Sequence, residues 1–235
     1  MELSGFDDRV AFVTGSARGI GRRIAERLRD LGARVAAGDL RAPEIDGVLG
    51  VELDVADEAR VDAAFAEVEA ALGPVELLVV NAGIFVIEPF EETSLASWQR
   101  TIDVNLTGAF VCARRAVPAM RAAGYGRVVM MGSSAGKTGG AKSMAAYGAS
   151  KAGVMTLAKS LASEYASHGI TANALAPSLI DTDMITSMPD LHERIPVGRL
   201  GTPDDVADLV AFLCSAHAGY ITGEVVDING GFLID

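Results

Sequence analysis

Seven short apolar runs divide the chain, and between most of them apolar residues recur every three or four positions. The runs Arg9–Thr14, Arg34–Gly38, Val48–Val55, Val75–Val80, Arg127–Met131, Ile170–Ala176 and Glu224–Ile228 are largely continuous rather than alternating. That is the pattern of strands covered on both faces. Ile24, Leu28 and Leu31 mark a helix face that Gly32 stops. Val61, Phe65, Val68 and Leu72 mark a second helix, predicted over Asp57–Leu72 and closed by Gly73-Pro74. The stretch 95–122 is mostly helical in pattern, with Gly108 and Pro118 as interruptions. Further helices are predicted from about Tyr147 to Ser167 and over Pro203–Ser215, whereas Leu40–Gly47, broken by Pro43, is too short for a crossover helix. Pro177–Pro203 reads as a loop. Apolar strands alternating with amphipathic helices predict an α/β fold: a doubly wound parallel sheet of about seven strands, with helices on both faces. It forms one domain over 1–235, with a loop suited to substrate near 178–203.

Ligands of such sheets bind outside the carboxyl ends of the strands, so the residues there carry the chemistry. Thr14-Gly-Ser-Ala-Arg-Gly-Ile-Gly21 joins the first strand to the first helix. Its glycines allow a tight turn and close approach of a pyrophosphate, which the helix N-terminus attracts. Asp39 ends the next strand, where an acidic residue accepts hydrogen bonds from an adenosine ribose. Tyr147 and Lys151 stand four apart at the start of a helical pattern, which sets a phenol and an ammonium on one face. A phenol of pKa about 10 is a poor base at neutral pH. A cation beside it lowers that value, and reaching about 7 takes roughly 4 kcal/mol of differential stabilisation. Such a Tyr could exchange a proton with an alcohol or carbonyl oxygen.

The formal charge is −11, with no Lys/Arg cluster, which argues against nucleic acid or an anionic membrane as partner. Cys112 and Cys214 are far apart in apolar helical patterns and read as buried thiols. The three His lie beside no acidic cluster, so no metal is expected. No run approaches the length of a membrane span, and the N-terminus lacks the basic and apolar regions of a signal peptide. The expectation is a cytoplasmic protein.

Taken together these motifs resemble the short-chain dehydrogenases/reductases of compact single-domain type, over essentially the whole chain. Thr14–Gly21 matches the family's Thr-Gly-x-x-x-Gly-x-Gly, and Val80–Gly83 matches its Asn-Asn-Ala-Gly in part. Asn105 falls in the pattern Asn-x-x-Gly; Ser134, thirteen before the Tyr, takes the place of the catalytic Ser in preference to Ser133; Tyr147 and Lys151 complete the set. The resemblance implies a Rossmann-like fold and a nicotinamide dinucleotide. Its first turn would be held by Gly15, Ser16, Arg18, Gly19, Ile20 and Gly21, and its adenosine by Asp39, Leu40, Asp54 and Val55. Asn81, Ala82, Gly83, Tyr147, Lys151, Pro177, Ser178, Ile180 and Thr182 would hold the remainder. In the implied mechanism Tyr147 donates a proton in ketone reduction and accepts one in alcohol oxidation. Lys151 lowers the Tyr pKa and bonds the nicotinamide ribose, Ser134 holds the substrate oxygen, and Asn105 anchors a water linking Lys151 to solvent.

Asp39 favours NAD(H), since a 2′-phosphate would be repelled; Arg18 and Arg41 favour NADP(H) but do not sit at the ribose position itself. Candidate substrate-pocket residues are Phe85, Val86, Ser134, Lys142, Met144, Tyr147, Leu179, Met184 and Met188. They suggest a small-molecule secondary alcohol or ketone with an apolar substituent. Two other readings stand. A 3-oxoacyl-carrier-protein reductase is suggested by the Arg199–Asp205 and Tyr220–Gly223 stretches; a nonenzymatic dinucleotide sensor is opposed by four filled catalytic positions. Three departures mark the chain: Val80 for the first Asn of Asn-Asn-Ala-Gly, Ser178 for a Gly after the sixth strand, and the short Leu40–Gly47 segment. Ser178 is expected to narrow the nicotinamide pocket or force a different backbone angle. Relatives assemble through the helices bearing Asn and Tyr, which implies a homotetramer.

Overall fold

The computed structural model describes residues 3–182 and 191–234. One parallel sheet contains β1 (Val10–Thr14), β2 (Arg34–Asp39), β3 (Leu49–Glu52), β4 (Leu77–Val80), β5 (Gly126–Met131), β6 (Ile170–Pro177) and β7 (Val225–Ile228). Their spatial order is β3-β2-β1-β4-β5-β6-β7, every neighbouring pair parallel. This is the Rossmann-like doubly wound sheet. Winding runs one way from β1 to β3 and the other way from β4 to β7, which opens a crevice at the carboxyl ends of β1 and β4.

The helices are α1 (Gly19–Asp30), α2 (Glu58–Leu72), α3 (Leu95–Ile102), α4 (Gly108–Ala123), α5 (Ser134–Thr138), α6 (Ala145–Tyr165) and α7 (Pro203–Cys214). They cover both faces. Val10 and Phe12 of β1 enter one core while Ala11 and Val13 enter the other, because successive strand residues point to opposite faces. The first core contains Val61 and Phe65 of α2, Cys112 of α4 and Val154 of α6; the second contains Ile24 and Leu28 of α1 with Val206 and Val210 of α7. Phe12 and Phe65 meet edge to face with centroids 5.0 Å apart. Strands with two buried faces have no polar side to display, hence the continuous apolar runs.

The stretch 95–122 is not one helix. A π-helical turn, Asp103–Thr107, joins α3 to α4 and carries Asn105. Such turns widen a helix locally and leave the usual hydrogen-bond ladder. Gly108 follows at a close approach, where a Cβ would lie 2.9 Å from the side chain of Val55. The strand expected over Val48–Val55 is shorter, and the helix expected from Tyr147 starts at Ala145. The short helix α5 has no counterpart in the apolar pattern, since five residues are too few to show a period. Cys112 and Cys214 are buried free thiols whose pKa values burial pushes up to about 12. Among the described residues no cluster could hold a metal ion, and no helix is long and apolar enough to cross a membrane.

Candidate active site

At the carboxyl ends of β1 and β4, two loops are stitched together. Thr14 Oγ1 accepts hydrogen bonds from the backbone N–H of Asn81 and Ala82, both at 3.1 Å. The Asn81 amide donates back to the Thr14 and Gly15 carbonyls at 3.1 and 2.8 Å. Side chains are excluded from this contact: a Cβ on Gly15 would fall 2.6 Å from Ala82 Cα, and one on Gly21 would fall 2.1 Å from the Gly15 carbonyl oxygen. Gly19 differs. Its φ is +57°, and a Cβ there would meet only Thr182, at 3.8 Å, so the turn leaves a cradle. Arg18 puts no side-chain cap on α1, and no acidic residue occupies its first turn. The leading N–H groups and positive dipole end of α1 therefore favour an anion there. Asp39 faces this turn, accepting from the Ala17 N–H at 2.9 Å and the Leu40 N–H at 2.8 Å. Glycine turn, helix end and carboxylate suit the pyrophosphate and ribose of a dinucleotide.

The other end of the cleft holds the acid–base group. Tyr147, in the first turn of α6, has its ring edge to face with Phe85 at 4.8 Å between centroids. Lys151, one turn on, is buried; its Nζ lies 5.8 Å from the Tyr147 ring centroid and donates to the Met131 carbonyl at 2.7 Å. Burial pulls the Lys151 pKa down to about 8. Burial also pushes the Tyr147 phenol above its ordinary value, although part of the ring opens to the cleft, and a hydrogen bond with Ser133 works in the opposite direction. The expected lowering by Lys151 thus does not govern the phenol in this structure. Desolvation does.

The serine against the phenol is Ser133, not Ser134. Ser133 precedes α5 and caps it, its Oγ accepting from the Ala135 N–H at 3.1 Å. Ser134 lines the same cleft, but its place is already inside α5, where its carbonyl accepts from Thr138 Oγ1. A count of thirteen back from the Tyr reaches Ser134, one residue after the serine that lies against the phenol. Asn105 is buried behind the cleft. Its amide donates to the Ile84 carbonyl and to Ser150 Oγ, both at 3.0 Å, and accepts from the Ile84 N–H at 2.8 Å.

The cleft has a volume of about 1540 Å³. It brings together Gly15, Arg18, Gly19, Ile20, Gly21, Asp39, Leu40, Asp54, Val55, Asn81, Ala82 and Gly83 with Pro177, Ser178, Ile180 and Thr182. Phe85, Ser134, Met144, Tyr147, Lys151 and Leu179 line it as well. Ser16 does not: it is fully buried, its hydroxyl donating to the Val13 and Gly38 carbonyls. Lys142 does not line it either, and Val86 belongs to an adjoining pocket of about 490 Å³ with Ile84, Glu88 and Arg100. Met184 and Met188 lie outside the described residues. Ser178 is buried with its N–H on the Ile228 carbonyl at 3.1 Å, and the left-handed residue is its neighbour Leu179, φ 50°. Val80 is buried in the first core while Asn81 keeps the loop's hydrogen bonds. Sequence reading did not single out Ser133, Ile84, Gln99, Arg194 or Phe232, all of which line the cleft. Only the Gly-Ser pair before α5 offered a signal, for Ser133.

Topology, glycine turn and the Tyr–Lys pair together place the chain in the short-chain dehydrogenase/reductase family, to which it belongs; it is an oxidoreductase using NAD(P). A family profile described as enoyl-(acyl carrier protein) reductase matches residues 15–233. The 3-oxoacyl-(acyl-carrier-protein) reductase MabA of Mycobacterium tuberculosis is 42% identical over 96% of this chain and 93% of its own length. The 2-dehydro-3-deoxy-L-rhamnonate dehydrogenase (NAD(+)) of a Sphingomonas species is 41% identical over 95% of this chain and 94% of its own. Among solved structures, a provisionally named gluconate dehydrogenase of Agrobacterium tumefaciens superimposes with a TM-score of 0.91 at 32% identity, covering 99% and 98% of the two chains.

Proposed function

We propose that this protein interconverts a secondary alcohol and a ketone, with NAD(H) preferred over NADP(H). The observation that carries the reading is Tyr147, beside Ser133 and followed one turn later by buried Lys151, in a cleft that also contains the glycine turn. The dinucleotide, when bound, supplies or accepts the hydride. The protein handles the proton. Tyr147 donates it to the carbonyl oxygen or removes it from the alcohol, and Ser133 holds that oxygen as charge develops on it. Lys151 and Asn105 flank Gly83, 3.4 and 3.2 Å from where its Cβ would lie. Asn105 is read as anchoring a water through which Lys151 exchanges protons with solvent. Asp39 supports NAD(H): its carboxylate faces the glycine turn, and a 2′-phosphate bound beside it would be repelled.

The walls contributed by Phe85, Met144 and Leu179 suit an apolar substituent. A second reading, reduction of a 3-oxoacyl thioester, is favoured by the activity for which the mycobacterial relative is named. Acetoacetyl thioester reduction compared with a panel of simple ketones, using both cofactors, separates the two. Exposed Phe110 on α4 supports a homotetramer joined through that helix. The test of the main reading is Tyr147→Phe: turnover falls to background while dinucleotide binding persists. Unchanged turnover would overturn it.

A further inference from the structure

The substrate end of the cleft is apolar on most sides, yet it contains a guanidinium. Arg194 ends the turn Leu191–Arg194 and lines the cleft together with Phe232, Met144, Leu179 and Tyr147. We propose that Arg194 is the anchor for a carboxylate on the substrate, so that the alcohol or ketone is a hydroxy or oxo acid with an apolar body between its two polar ends. This rests on the alcohol–ketone reading above.

Three observations support it. The first is stacking: the Arg194 guanidinium lies over the Phe232 ring, 5.5 Å from its centroid. A guanidinium laid on an aromatic face keeps its N–H edge for a ligand, and its planar fork matches a carboxylate. The second is support beneath it. Ile195 is buried and the Val197 N–H bonds the Gly230 carbonyl, while Asn229 holds the tail at Gly231 and Leu233. Turn and tail are tied together, so the cation does not dangle from an independent loop.

The third is pairing. The chain has 31 Asp and Glu against 20 Lys and Arg, and its arginines generally hold acids: Arg23 with Asp204, Arg27 with Asp208, Arg115 with Glu69, Arg199 with Asp205. Among the described residues no carboxylate pairs with Arg194. Arg100 also lines the cleft but is the weaker candidate, since it extends into an adjoining pocket that contains Glu88, with one carboxylate oxygen buried and unpartnered. The glycine turn and the uncapped N-terminus of α1 offer the dinucleotide's phosphates a site of their own. Arg194, exposed on the cleft wall, is accessible to an anion carried by the substrate.

The test uses three oxo acids of different spacing, 3-oxobutanoate, 4-oxocyclohexanecarboxylate and 4-acetylbenzoate, each against its methyl ester. The parent enzyme is expected to favour at least one acid over its ester by about 10- to 100-fold in kcat/KM. Arg194→Gln erases that preference mainly through KM, and Arg194→Lys restores part of it. Equal use of acids and esters by the parent, an acid preference that survives Arg194→Gln, or a variant that loses acid and ester alike overturns the assignment. So does a parent that uses acetoacetyl thioester better than every free acid. A parent that reduces neither acids, esters, thioester nor simple ketones removes the underlying reading instead, and this inference with it.

Discussion

Asn105 grips Ile84 from both sides, accepting its N–H at 2.8 Å and donating to its carbonyl at 3.0 Å. One buried amide thereby fixes the loop after β4, and the next residue, Phe85, rests against the Tyr147 ring. The side chain taken from the sequence as a water anchor is in this structure first a clamp. Asn105→Ala leaves a backbone donor and acceptor without their partner, at about 1–3 kcal/mol each. The expected loss is about 2–6 kcal/mol of unfolding free energy, read from denaturant midpoints. An Asn105→Ala protein as stable as the parent but inactive would assign the amide to proton relay alone.

Ser133 and Ser134 separate by mutation. Ser133→Ala removes the hydroxyl that meets the phenol, and kcat is expected to fall about 10²- to 10³-fold, the loss typical of one donor to a developing oxyanion. Ser134→Ala should cost far less. Steady-state kinetics on the two variants decide it, and the reverse order would return the role to Ser134.

Lys151 gives stability a pH signature. Its pKa is about 8 in the folded protein against 10.5 for the free side chain. Between those values the unfolded chain holds a proton that the folded chain has released, so this group makes stability rise with pH over that window. The penalty is full below pH 8, and the difference of 2.5 units (10.5 − 8) corresponds to about 3 kcal/mol. Cys112 and Cys214 act oppositely, because burial raises their folded values and their contribution is lost as pH climbs from 9 toward 12. Subtracting the stability profile of Lys151→Met from that of the parent isolates the lysine. The difference should climb from pH 8 to 10.5, and a flat difference would mean the ammonium is not desolvated.

Asp39 is expected to set the cofactor preference. The parent should use NAD(H) at least about 100-fold more efficiently than NADP(H), and Asp39→Asn should narrow that gap by about tenfold. Asn keeps one oxygen for the Ala17 or Leu40 N–H, so the change removes charge with little change of shape. Kinetics with both cofactors check the pair. A parent indifferent between them would shift the weight to Arg18 and Arg41.

What the sequence determined by itself was local or periodic. Continuous apolar runs implied strands buried on both faces, because any polar residue there would be stranded in one of two cores. Gly15 and Gly21 stood out because a turn this tight has no room for a side chain, and Asp39 because parallel strands deliver their ends to one edge. Tyr147 and Lys151 share a helix face by spacing alone.

Tertiary structure decided everything that depends on distance through space. Ser133 rather than Ser134 lies against the phenol because of how the chain turns into α5, which a count along the chain does not register. Ser16 turned inward, where its hydroxyl donates to the Val13 and Gly38 carbonyls. The phenol was pushed up rather than down because desolvation depends on what surrounds a group, which no spacing records. Arg194 and Phe232, far apart in sequence, meet at the cleft only because β7 brings the chain's end back beside β6.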